Sequence, residues 1–231
     1  MCSTELRLQL LSELPFLASL SAAEIAQANE SFQTFDYPEG DTIYFSGDPA
    51  GHLYVIASGQ VRLMQHSGAG KDVLLDVLKP GDFFGSLTPG GDERYAETAQ
   101  AQSNACIMAI TAAKFRELMA AYPRIALAVL DLTAARLQNA RETVRQLSAF
   151  SAEQRIAAVL VRLAEKLGDQ QVEGLLIQTR LSREDLAQMT GATPETASRI
   201  MASLQKDGLI SSGRQWVAIN DMEALAKLAE G

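Results

Sequence analysis

Cysteine and histidine are nearly absent from this chain of 231 residues: there are two of each, Cys2 and Cys106, His52 and His66. Two thiols cannot build a disulfide framework or hold an iron–sulfur cluster through four thiolates, so an iron–sulfur cofactor is excluded. Two imidazoles rule out a site that needs three. Long apolar runs are missing as well. No stretch of about 18 apolar residues exists, and no transmembrane helix is expected. The first twenty residues are amphipathic, with Glu5, Arg7 and Glu13 interrupting the leucines, and lack the basic start and continuous apolar core of a signal peptide. A cytoplasmic protein without a membrane partner is expected.

Positive charge is also in short supply. Twenty Lys and Arg stand against 28 Asp and Glu, a net charge of −8, which argues against a nonspecific nucleic-acid coat. A sequence-specific reader with its basic groups on one face stays open, because the acidity is uneven. Up to Phe150 there are 11 basic and 17 acidic residues, and beyond it 9 and 11. Catalytic signatures are lacking too. A cupin-like metal enzyme needs histidines clustered on neighbouring strands, and His52 and His66 form no His-x-His pair. There is no nucleophile–base pair, nor a glycine loop ending in Lys-Ser/Thr to cradle phosphate, so an enzyme is not expected.

What is present falls into three textures. From about Phe32 to Ile110, turn signals recur roughly every 10 residues, as in an all-β sandwich or barrel. They lie at Tyr37–Gly40, Ser46–Pro49, Ala57–Gly59, Ser67–Gly70, Lys79–Asp82 and Thr88–Asp92. Between them, alternating segments such as Leu53–Ile56, Val61–Met64 and Val73–Leu78 predict strands with one buried and one wet face. Cys106, in the apolar Ala105–Ile110 segment, reads as a small core residue.

The second texture, Arg124 to Leu147, has neither glycine nor proline and follows Pro123, a residue tolerated at a helix start. Leu130, Leu137 and Val144 repeat every seven residues, and Thr133, Ala140 and Leu147 follow each by three. A period of seven points to an a/d seam with a second copy and hence a C2 homodimer. The alternative is an amphipathic helix packed on its own domain.

The third texture begins at Ser151, which caps a helix to about Leu167 stopped by Gly168; one short strand is placed at Gly174–Thr179, and the chain is expected to finish in a short hairpin. Ser182 and Asp185 make a helix-start box, Gly191 supplies a tight turn, and Thr193-Pro194 opens a second helix that buries Ala197, Ile200, Met201 and Leu204. Two short helices about a glycine turn form a helix-turn-helix, whose second helix presents its first residues to base edges. Arg199 would donate a fork to guanine, Glu195 would accept from cytosine, and Ser182, Thr193 and Thr196 suit phosphates. The competing reading is an αα-hairpin in a helical core, with Glu195 and Arg199 as an exposed i,i+4 ion pair. After Gly208, Ile210-Ser211 and Gln215–Ile219 flank the tip Ser212-Gly213-Arg214, a two-stranded wing in which Arg214 faces either the DNA backbone or solvent.

These segments resemble the Crp/Fnr transcription regulators over nearly the whole chain. GATPETASRIMASLQKDGLI (191–210) resembles their recognition segment, with Glu195, Ser198 and Arg199 on the E-x-x-S-R pattern of the Fnr-type branch. YPEGDTIYFSGDPAGHLYVIASGQVRL (37–63) and KPGDFFGSL (79–87) are similar to the β-roll of the cyclic-nucleotide-binding superfamily. The resemblance implies an α+β protein with three parts: an N-terminal double-stranded β-roll with leading helices (1–122), a dimerisation helix (123–149) and a C-terminal winged helix-turn-helix (150–231). It implies double-stranded DNA as partner, read as an inverted repeat of TTGAT-like half-sites through Ser182, Thr193, Pro194, Glu195, Thr196, Ser198, Arg199 and Arg214, and RNA polymerase as a further partner.

The family resemblance also marks an effector pocket at Gly85, Ser86, Arg94 and Tyr95. Cyclic-AMP binders carry a glutamate where this chain has Ser86 and an arginine where the best register puts Tyr95, with Arg94 one residue away. Serine cannot supply a carboxylate's charge-assisted bonds, which argues against cyclic AMP. YAETAQA (95–101) is most similar to the nitrogen-oxide-responsive Dnr/Nnr branch, which points to haem, with His66 a better axial ligand than His52; either histidine also fits an ordinary surface turn. A regulator that needs no effector remains an alternative.

Overall fold

The computed structural model describes residues 3–66, 72–86, 94–171, 174–179, 181–213 and 216–230. The chain divides into two compact units, Met1–Gln138 and Asn139–Gly231, and the division falls inside one long helix.

The first unit opens with helices α1 (Thr4–Glu13) and α2 (Ala22–Asn29). Ser3 caps α1, and a reciprocal Ser21–Glu24 box starts α2. Eight strands follow among the described residues: β1 (Gln33–Tyr37), β2 (Thr42–Tyr44), β3 (His52–Ser58), β4 (Val61–His66), β5 (Asp72–Leu78), β6 (Phe83–Gly85), β7 (Thr98–Ala101) and β8 (Ala105–Thr111). They pair antiparallel in two four-stranded sheets, ordered β1-β8-β3-β6 and β2-β7-β4-β5. The turns expected at Gly40, Gly47, Gly59 and Gly81 are present, each glycine with positive φ. Those expected at 67–70 and 88–92 lie outside the described residues.

One expectation is corrected. The segment Leu53–Ile56 does not leave one face wet. In β3 and β8 both faces are buried: Leu53, Val55, Met108 and Ile110 pack with α1, α2 and the following helix α3 (Ala112–Ala121), while Tyr54, Ile56, Ile107 and Ala109 point into the roll. Helices covering a sheet turn an alternating strand into a doubly buried one. Cys106 is buried on β8, as its apolar strand implied, and is also engaged in a disulfide.

Helix α4 (Pro123–Ala149) is 27 residues long, or about 40 Å at the usual rise, and Pro123 is its first residue. In the second unit, α5 (Ala152–Leu167) starts at a Ser151–Gln154 capping box and ends at Gly168, as expected. Then come β9 (Gly168–Gln171), β10 (Gly174–Ile177), α6 (Arg183–Thr190), α7 (Pro194–Lys206), β11 (Ile210–Ser212), β12 (Val217–Ile219) and α8 (Met222–Glu230).

Two features go beyond the sequence reading. The hairpin β11–β12 is not isolated but belongs to a four-stranded sheet, β11-β12-β10-β9. The chain also does not finish in that hairpin: Asp221 accepts from the Ala224 N–H at 2.9 Å and α8 follows, burying Leu225 in the core it shares with α5. The α+β class, the β-roll, the long helix and the winged helix-turn-helix are all present. Among the described residues, no single helix is long and apolar enough to cross a membrane.

Candidate functional site

The helix-turn-helix is built by its caps. The Ser182 hydroxyl accepts from the Asp185 N–H at 3.0 Å and donates to Asp185 Oδ2 at 2.7 Å, while that carboxylate also takes the Ser182 N–H at 2.8 Å. The first helix therefore starts at a fixed point, with Leu186 and Ala187 buried beneath it. It stops at Gly191, whose φ of 64° lies in the left-handed region that favours glycine. Thr193 then caps α7, its Oγ1 accepting from the Thr196 N–H at 3.2 Å, and Pro194 takes the first helical position.

This arrangement sorts α7 by face. Ala197, Ile200, Met201 and Leu204 are buried, as expected from their spacing, while Glu195, Ser198 and Arg199 are exposed. Thr196 and Pro194 are half-buried and Thr193 is exposed at the helix start. The ion pair that an αα-hairpin would show between Glu195 and Arg199 does not form; among the described residues nothing hydrogen-bonds the Arg199 guanidinium. The Glu195 carboxyl is held below its usual range by its own backbone N–H and by the Thr193 hydroxyl, so it is an anion at the helix start. The hydroxyls of Ser182 and Thr193 are engaged by the caps, so the donors left here are helix-start N–H groups.

Two arginines that no local pattern had marked hold this unit together. Arg155 of α5 donates from Nε to the Thr190 carbonyl at 2.8 Å and from Nη1 to the Phe150 carbonyl at 2.7 Å, tying the end of α6 to the base of α5. Arg183 of α6 donates to Ser212 Oγ at 3.0 Å and so fixes the wing against the first helix. The wing closes through Gly213 N–H to the Trp216 carbonyl at 3.0 Å. Arg214 lies outside the described residues.

Along α4 the heptad positions stand out from the protein. Leu130 is 64% exposed, Leu137 53%, Val144 63% and Leu147 48%, and Leu127 adds a further exposed leucine. Thr133 and Ala140 are exposed too; the Thr133 hydroxyl turns back to the Val129 carbonyl at 2.7 Å. Only Ile125, near its start, is buried. The first turns of α4 do pack on the first unit, through Ile125, Ala128, Val129 and Leu132, while this stripe is left uncovered.

Three of the four residues marked as an effector pocket, Gly85, Ser86 and Tyr95, meet at the His52 carbonyl, and Arg94 bonds elsewhere. Gly85 (φ 87°) sits in β6 opposite Leu53, where a Cβ would come within 2.7 Å of the His52 carbonyl. Ser86 donates its N–H to that same carbonyl at 3.1 Å. Arg94 is exposed and holds the Gly47 carbonyl. Tyr95 alone enters the roll. Its ring stacks on Tyr44 with centroids 3.7 Å apart and planes 17° apart, and Tyr54 stacks on Phe84 at 5.1 Å and 18°. Burial pushes the Tyr44 and Tyr54 phenols far above their ordinary range, keeping them neutral. His52 is half-buried at the start of β3; His66 is at the exposed end of β4, bonded to Asp72 at 2.7 Å and apart from the aromatic cluster.

A roll of two antiparallel sheets, a long helix with an unpartnered apolar stripe and a capped helix-turn-helix with a wing define a DNA-binding protein with a sensory-type domain. Comparison with known proteins agrees. Residues 34–122 match the cyclic nucleotide-binding domain and residues 154–228 the Crp-like helix-turn-helix domain. The cAMP-activated global transcriptional regulator CRP of Pasteurella multocida is 32% identical over 185 residues, covering 79% of this chain and 88% of that protein. The cyclic AMP receptor protein of Thermus thermophilus is 30% identical over 217 residues, 94% of this chain and 97% of that one. The structure of FixK2 from Bradyrhizobium japonicum shares the fold, with a TM-score of 0.76 at 24% identity over 85% of this chain and 96% of that one. The chain belongs to the Crp/Fnr family of DNA-binding transcription regulators.

Proposed function

We propose that this protein is a cytoplasmic, homodimeric regulator that reads an inverted repeat of TTGAT-like half-sites and acts on RNA polymerase, with the β-roll setting its DNA affinity. The observation that carries the reading is the face of α7: Arg199 and Glu195 are exposed and unpaired with each other on a helix whose opposite side is fully buried. In the major groove Arg199 forks onto guanine O6 and N7, Glu195 accepts from cytosine N4, and Ser198 lies on the same face. The helix starts opened by Ser182 and by Thr193-Pro194 offer free N–H groups to the phosphates, Thr196 lies beside them, and Arg214 is proposed as a further backbone contact.

The dimer follows from α4, residues 123–149. Leu130, Leu137, Val144 and Leu147, with Thr133 and Ala140 between them, form a stripe that a second copy would cover, and reading an inverted repeat requires the twofold pair of recognition helices to lie about one turn of duplex apart. Haem does not fit well inside the roll. His66, its better sequence candidate, is exposed on β4 and paired with Asp72, outside the buried aromatic cluster.

The reading is tested by selecting bound duplexes from a random library with the purified protein. Enrichment of a twofold-symmetric site with centres about 10 base pairs apart is expected. An enriched site without symmetry, or none, rejects it.

A further inference from the structure

We infer that Tyr95 is a built-in occupant of the β-roll and that its ring closes the roll to cyclic nucleotides. This deepens the proposed function by naming what fills the regulatory domain, and it rests on that domain being the regulatory one.

Tyr95 is held from every side. Its N–H donates to the Asp48 carbonyl at 3.0 Å, and its carbonyl accepts from the Gly47 N–H at 2.9 Å. Its phenol oxygen accepts from the His52 N–H at 3.0 Å and donates to the His52 carbonyl at 3.2 Å. One side chain thus engages both hydrogen-bonding groups of that backbone residue, whose carbonyl also accepts the Ser86 N–H. The ring lies flat on Tyr44, which donates to Glu97 Oε1 at 3.0 Å, and Tyr44 and Tyr54 in turn pack on Phe84. All four rings are at most 8% exposed.

A cyclic nucleotide brings a flat base and a phosphodiester anion. The base would need the space these rings fill. The anion would need charge-assisted donors to offset its desolvation, and among the described residues no basic side chain is buried. Arg136 of α4 comes near, with its guanidinium 4.4 Å from the Phe83 ring centre and Nη2 bonded to the Phe83 carbonyl. Burial lowers that guanidinium's pKa, and the charges of Glu97, Asp76 and Asp82 act against the shift, so its charge is already answered in part by carboxylates of the chain.

The test titrates the wild-type protein with cyclic AMP and cyclic GMP in a calorimeter, and in parallel measures melting temperature with and without indole for wild type and Tyr95→Ala. Neither nucleotide is expected to give saturable heat at millimolar concentration. Indole is expected to raise the melting temperature of Tyr95→Ala and leave wild type unmoved, because removing the ring leaves an apolar cavity of aromatic size. Should Tyr95→Ala fail to fold by circular dichroism, Tyr95→Leu is read in the same way. Saturable binding of either nucleotide to wild type overturns the inference, and so does a folded variant that ignores indole. Binding of the selected palindrome, measured on the same preparation, reports separately on the DNA-reading proposal and keeps the two failures distinct.

Discussion

At the scale of single residues, the proposed base reading depends on a guanidinium that the protein leaves unused. Arg199 is exposed on α7 one turn beyond Glu195, and no i,i+4 pair consumes it. Replacing it with alanine removes two hydrogen bonds to one base and leaves the fold's buried face intact. Arg199→Ala is expected to weaken the preferred site by about 1–3 kcal/mol and to relax the choice of base at one position of each half-site. Titrating single-base variants of the site by fluorescence anisotropy checks this; unchanged affinity and unchanged preference would take Arg199 off the reading face. Residues whose role depends on local spacing were legible in the sequence: Ser182, Gly191, Thr193 and Pro194 are caps and stops because their neighbours three or four positions away make them so. Arg155 and Arg183 were not, because their partners lie 35 and 29 residues away and only the folded chain brings them together. Tyr95 was placed by register where the family resemblance implies an arginine in cyclic-AMP binders, but its stack with Tyr44 is non-local and could not be read.

At the scale of elements, the turn between α6 and α7 and the stripe on α4 carry the most weight. Gly191 has φ 64°, and a Cβ there would have its nearest neighbour, Leu147 Cδ2, at 3.8 Å. Space is adequate, so the cost of Gly191→Ala is that of placing alanine in the left-handed region, about 1 kcal/mol. Urea denaturation should show a midpoint lowered accordingly with an unchanged slope; a loss several times larger would mean that the turn is held by packing. Helix α4 makes a stronger demand. Leu137→Glu puts a carboxylate at the middle of the proposed seam, opposite its twin, where like charges repel and desolvation adds to the penalty. Sedimentation should show monomers and the symmetric site should bind more weakly, whereas a dimer of normal affinity would place the interface elsewhere. The heptad stripe was readable because its period is in the sequence. Strand β9 and helix α8 were missed: β9 is built from Gly168–Gln171, a polar stretch with no strand pattern, and α8 announces itself only through Asp221 and the spacing of Met222, Leu225 and Leu228.

At the scale of the whole molecule, an acidic chain recognises a polyanion. A net charge of −8 disfavours indiscriminate contact with duplex DNA, so affinity must come from a few groups placed in register. In the proposed dimer, specificity then depends on two recognition helices acting together, which a single helix-turn-helix of this size cannot replace. The most direct measurement is an anisotropy titration of the purified protein against a symmetric TTGAT-type duplex and against a scrambled duplex of equal length and composition, both at moderate salt. The account predicts binding to the symmetric duplex at least about a thousandfold tighter, the low end for specific regulators. Equal affinity for the two duplexes would contradict it.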